Sequence, residues 1–89
     1  MVQKKLTQVL VDHKEMQSRE QFATMLETIA QKLRNEGKFT FIQGEKVVEV
    51  NPSAQLQVEV KYEVKRNKHA FEIEFEWRPG EESQQMTIQ

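Results

Sequence analysis

Leu56-Gln57-Val58-Glu59-Val60-Lys61-Tyr62-Glu63-Val64 and Phe71-Glu72-Ile73-Glu74-Phe75-Glu76-Trp77 alternate apolar and polar residues without a break. Successive side chains of an extended strand point to opposite faces, so this alternation predicts two strands, each with one apolar and one charged face. Leu56, Val58, Val60, Tyr62 and Val64 form the apolar set of the first, and Phe71, Ile73, Phe75 and Trp77 that of the second. Arg66-Asn67-Lys68-His69 between them is short and polar, which makes the pair an antiparallel hairpin. Same-face pairing must set apolar opposite apolar, because a slip of one residue turns every side chain to the wrong face. A loop centred on Asn67-Lys68 then places Val64 opposite Phe71, Tyr62 opposite Ile73, Val60 opposite Phe75 and Val58 opposite Trp77. On the charged face it places Glu63 opposite Glu72, Glu59 opposite Glu76 and Lys61 opposite Glu74.

Upstream, the apolar period changes from 2 to 3.6. Phe22, Met25, Leu26, Ile29, Ala30 and Leu33 line one face of a helix expected from Ser18 to Glu36. Ser18 suits the N-cap, Gln21 completes a capping box, and Glu20 sits where the helix dipole favours negative charge. Gly37 supplies the left-handed residue that ends the helix. Phe39–Gln43 and Lys46–Val50 read as a short hairpin about Gly44, and Asn51-Pro52-Ser53 as a turn. Lys4–Met16 is expected to add a first strand, although Leu6, Val9, Leu10 and Val11 do not share one face and imply a bulge. The expected fold is therefore α+β. One amphipathic helix packs on one face of a four- to five-stranded, mostly antiparallel sheet in the order β-α-β-β-β-β. Residues 1–80 form one domain and residues 81–89 a disordered tail.

Composition narrows the function. With 89 residues, 37% hydrophobic and 30% charged, the chain has the balance of a small soluble domain. It holds no apolar run near the ~20 residues that a membrane-spanning helix needs. Met1-Val2-Gln3-Lys4-Lys5 opens no secretory leader, and cytoplasmic residence is expected. The absence of cysteine excludes disulfides, thiolate chemistry and cysteine-ligated metals. A formal net charge of −1 lacks the basic excess of most nucleic-acid binders. Arg19, Lys32, Arg34, Lys38, Lys46, Lys65, Arg66 and Lys68 are scattered, and the aromatics share the apolar face instead of facing out as in RNA-binding sheets.

The order Ser18-Arg19-Glu20 opening a helix, Gly37, the Asn51-Pro52 turn, and the acidic alternating Phe71-Glu72-Ile73-Glu74-Phe75-Glu76-Trp77-Arg78 resembles the amphi-Trp domain family. These are small prokaryotic proteins named for a terminal amphipathic segment ending in tryptophan. The resemblance covers roughly Lys5 to Arg78 and implies a fold, with no activity attached. This chain is nearly neutral where the family is usually strongly acidic.

No constellation of residues points to catalysis, and the chain is expected not to be an enzyme and to need no cofactor. Glu59, Glu63, Glu72, Glu74 and Glu76 share the outer face of the last two strands and could dock a basic partner or hold a weak divalent cation. The plainer reading is a solvated face that resists edge-to-edge aggregation, and Lys61 and Lys65 interrupt it. An open sheet face also lacks the cleft that separates the pKa values of paired carboxylates. Trp77 continues the Phe71, Ile73, Phe75 series and reads as packing, not as a ligand platform. His13 and His69 are isolated and define no metal site.

One helix is about 10 Å across, while strands lie about 4.8 Å apart. A sheet of four or five strands therefore outgrows its single helix and leaves an apolar strip, expected on Val58, Phe71, Ile73, Phe75 and Trp77. The functional expectation is a non-enzymatic interaction or accessory domain. It would self-associate as a homodimer or dock a protein through that strip, with neither nucleic acid nor membrane as partner. The alternative is a small-ligand or cation-binding protein that uses the acidic face.

Overall fold

The computed structural model describes residues 7–79 and 88. Its elements are α1 (Arg19–Glu36), β1 (Phe39–Gln43), β2 (Lys46–Val50), β3 (Gln57–Lys65) and β4 (Lys68–Glu76). They fall into two compact units, Met1–Val50 and Asn51–Gln89.

In the first unit, local chemistry sets the helix ends. The Ser18 side chain accepts from the Gln21 backbone N–H at 3.0 Å, and the Gln21 side chain accepts from the Ser18 N–H at 2.8 Å. Each bond satisfies a donor that the helix itself leaves unpaired. At the other end Gly37 takes φ 73°, and its N–H returns to the carbonyls of Lys32 and Leu33. A side chain rarely adopts that left-handed backbone.

The β1–β2 hairpin turns on Gly44-Glu45, with φ 59° at Gly44. Glycine thus supplies the positive φ at the first central residue of a two-residue loop. Phe39 pairs with Val50 and Phe41 with Val48, and all four are half-buried, while Ile42 and Val47 pair on the exposed face. Helix α1 packs against β1, with Ile29 and Leu33 its half-buried residues. Among the described residues no side chain is fully buried.

Three expectations change. In place of one sheet of four or five strands, the strands pair as two two-stranded antiparallel sheets, β1-β2 and β3-β4. Alternation fixes which face a strand buries but not which other strand it pairs with. The α+β class holds. Second, the expected strand over Lys4–Met16 does not form where it can be seen, since residues 7–18 adopt no regular element. Leu10 falls on the face opposite Val9 and Val11, so a strand there would have no single apolar face to bury; Lys4–Leu6 lie outside the described residues. Third, Trp77 falls one residue beyond the last strand. The tail at 81–89 also lies outside the described residues, apart from Ile88, which is exposed and in no element.

The helix ends generate two stability tests. Ser18→Ala should destabilise the helix by about 1 kcal/mol through loss of the cap. Gly37→Ala should destabilise by about 1 kcal/mol because φ there is positive. Urea unfolding followed by helical circular dichroism measures both, with Thr24→Ala on the helix surface as the control expected to change little.

Candidate functional site

The second unit is built on the β3–β4 hairpin. Its register pairs Val58 with Phe75, Val60 with Ile73, Tyr62 with Phe71 and Val64 with His69. The opposite face pairs Gln57 with Glu76, Glu59 with Glu74, Lys61 with Glu72, Glu63 with Ala70 and Lys65 with Lys68. Apolar still faces apolar, yet the pairing is displaced by two residues from the one expected. The loop is Arg66-Asn67, not Asn67-Lys68. A shift of two preserves every face, so the hydrophobic pattern accepts both registers and the turn decides between them. Arg66 carries the positive φ, 56°, as the first of two central residues, a place where glycine is the usual choice.

With the turn at Arg66-Asn67, His69 falls within β4. Its Nδ1 lies 2.7 Å from the Tyr62 hydroxyl, and the two rings stack at 6.0 Å. Tyr62 also meets its cross-strand partner Phe71 at 6.2 Å in a tilted contact. At the open end Phe75 and Trp77 stack at 5.9 Å, and both are half-buried. The rest of this face is open: Val58 is 58% exposed, Phe71 63% and Ile73 57%.

On the charged face the corrected register replaces Glu63–Glu72 and Glu59–Glu76 opposition with a single like-charged glutamate pair, Glu59–Glu74. Lys61 faces Glu72, not Glu74, and its Nζ lies 3.6 Å from Glu63 and 3.8 Å from Glu72. Three of the five candidate acidic residues therefore flank or oppose a lysine or an alanine, while Glu76 faces Gln57. Among the described residues no three His, Asp or Glu side chains are grouped so as to hold a metal ion.

The first unit contains a groove of about 680 Å³ between the segment before the helix, α1 and β1. Phe22, Met25, Ile29, Phe39 and Phe41 line it with apolar surface. His13 is also part of its lining. The ring Nε2 lies 2.8 Å from Glu15 Oε1, and Nδ1 lies 2.8 Å from the amide nitrogen of Gln43. A neutral ring with its proton on Nε2 satisfies both, donating to Glu15 and accepting from Gln43. The Gln17 amide donates to the other Glu15 oxygen at 2.6 Å. The bonds from His13 first and Gln17 second hold the Glu15 carboxyl below its ordinary value. The sequence gives no sign of this cluster, because His13 and Gln43 lie thirty residues apart. Only their shared position beside Phe41, whose ring lies 6.2 Å from that of His13, joins them.

This geometry sits within a known class. The chain matches the Amphi-Trp domain family over residues 4–89 and belongs to that family. No curated protein and no solved structure matches it. Among the described residues no helix is long and apolar enough to cross a membrane.

Two outcomes follow. Glu15 is ionised with its partners in place above its ordinary value of 4.5, and because its folded value is lower, its contribution is lost as pH falls below that range. The Glu15 side-chain carboxyl resonance followed by NMR should therefore titrate below 4.5, and Gln17→Ala should move it back toward that value. At the turn, Arg66→Gly should stabilise the hairpin by about 0.5 kcal/mol, the relief of a positive φ less the added chain entropy; urea midpoints measure it.

Proposed function

We propose that this domain is a non-enzymatic interaction module that self-associates or docks a protein through the apolar face of the β3–β4 hairpin. Val58, Phe71, Ile73, Phe75 and Trp77 are its contact residues. The observation that carries the reading is the contiguous exposed row Val58, Val60, Tyr62, Val64, Phe71 and Ile73, each more than half exposed. Contiguous apolar surface of this kind marks an interface more often than it faces water. A two-stranded hairpin is also marginal on its own and gains stability when something covers its apolar face. The acidic face supports a cation-binding reading less well, since Lys61 already sits between Glu63 and Glu72.

Sedimentation velocity across a concentration series, with Trp77 fluorescence, tests the proposal. The expected result is concentration-dependent association that Ile73→Ser weakens while the circular dichroism spectrum is retained. A strict monomer with Trp77 fully shielded from quencher would sink the idea.

A further inference from the structure

We propose that the partner is a second copy of this chain, joined edge to edge through β3, with the two β3 strands antiparallel about Tyr62. The proposal rests on the reading of this hairpin as the docking element, takes the edge of β3 in place of the apolar face as the contact, and adds both the occupant and the register.

Among the described residues the sheet that contains β3 has two strands, β3 and β4, so within it each strand offers one unpaired edge. In a hairpin with a two-residue loop, the pair flanking the loop exchanges hydrogen bonds. Here that pair is Lys65–Lys68, which turns the backbone groups of Gln57, Glu59, Lys61, Glu63 and Lys65 toward β4. The backbone N–H and C=O groups of Val58, Val60, Tyr62 and Val64 then point to the outer edge, where they need a partner.

The order of charges along that edge decides what fits. Reading outward from Tyr62, Lys61 is mirrored by Glu63, Val60 by Val64, and Glu59 by Lys65. An antiparallel second copy centred on Tyr62 therefore meets opposite charge at each charged position: Lys61 faces Glu63 and Glu59 faces Lys65, each twice by symmetry. Valine faces valine between them. The two-fold puts Tyr62 and Val60–Val64 at hydrogen-bonded positions, consistent with their outward backbone groups, for about six interchain hydrogen bonds. The ion pairs fall at the non-hydrogen-bonded positions, where facing Cα atoms are about 4.5 Å apart and side chains meet most closely.

Antiparallel β3 registers centred on Val60 or Val64 match fewer charges, pairing only Glu59 with Lys61 or only Glu63 with Lys65, each twice. Two further arrangements oppose like charges. Parallel, in-register β3 strands would set Glu59, Lys61, Glu63 and Lys65 each against itself. Antiparallel β4 strands set glutamate on glutamate about Glu72, Ile73 or Glu74. Among the described residues Glu59 and Lys65 form no ion pair, and each faces a like charge, Glu74 and Lys68 respectively. A second copy supplies both with what the hairpin lacks. The product is a four-stranded sheet, β4-β3-β3-β4, which reaches the strand number at which an open sheet becomes stable.

Charge reversal tests this. Lys65→Glu and Glu59→Lys should each raise the dimer dissociation constant at least about tenfold at low salt, and the double swap Glu59→Lys/Lys65→Glu should restore association. Each single reversal removes a like-charged opposition inside its own hairpin, so weaker association cannot be blamed on a weaker hairpin. Val60→Pro should abolish association without taking a hydrogen bond from β4, because the Val60 N–H points outward. In this cysteine-free chain Tyr62→Cys should form a covalent dimer on mild oxidation, since facing Cα atoms at about 5.5 Å suit a disulfide. Association that Ile73→Ser weakens but that Lys65→Glu and Val60→Pro leave unchanged would overturn the edge pairing and leave the docking face standing. A monomer whose Val60 and Tyr62 amides are protected from exchange would overturn it too, placing a segment of the same chain on that edge.

Discussion

Two strands joined by a two-residue turn have two faces and two edges, and side chains within the hairpin can shield at most fragments of either. The organisation of this chain follows from that limit. In the first unit, α1 lies against β1, and the Phe39, Phe41, Val48 and Val50 face becomes half-buried. The β3–β4 hairpin has longer strands and a more regular apolar row, and its ring contacts among the described residues are those of Tyr62 with Phe71 and His69, and of Phe75 with Trp77. What stabilises a small α+β domain is apolar area withdrawn from water, at about 25 cal/mol per Å². The face that has withdrawn least is the one best placed to gain from a partner.

Because no side chain is fully buried among the described residues, directional bonds at the element ends carry much of the definition. The Ser18–Gln21 box, the left-handed Gly37 and the positive φ of Gly44 and Arg66 each fix a boundary within a residue. The polar contacts are similarly local. Lys38 pairs with Glu49 across the β1–β2 hairpin at 2.8 Å, a bond that raises the lysine's pKa, and Lys61 lies between two glutamates. Exposed pairs of this kind contribute little energy each, so they serve register more than stability.

The legible parts of the fold were those written in short-range chemistry. The helix, its caps, the Phe39–Gln43 and Lys46–Val50 strands and the apolar parity of β3 and β4 are all set by neighbours within four residues or by strict alternation. The family was legible from the same features, the Ser18-Arg19-Glu20 start and the acidic ending at Trp77. What escaped depends on longer-range or degenerate choices. The register of β3 against β4 turns on accepting a positive φ at an arginine, which side-chain preference argues against. The His13–Gln43 contact and the irregular path of residues 7–18 depend on where α1 and β1 lie, and no periodicity records that. The candidate contact surface was visible as parity, and an uncovered strip was expected from the narrowness of one helix, whereas Val58, Phe71 and Ile73 are exposed on a separate two-stranded sheet.

A hairpin whose two registers keep every apolar residue on the correct face has a ruler with repeated marks. Sliding β4 by two positions costs only the end pairs and the turn, so collapse alone cannot tell the competing alignments apart. The choice then belongs to whichever loop closes first and holds. A two-residue loop brings its ends together with the least chain to order, and hairpins zip on about the microsecond scale once closed. Lys65-Arg66-Asn67-Lys68 is thus the origin from which the count begins. An insertion of two residues directly after Asn67, with the Arg66-Asn67 turn retained, would leave both faces intact in appearance while changing every cross-strand neighbour along the hairpin.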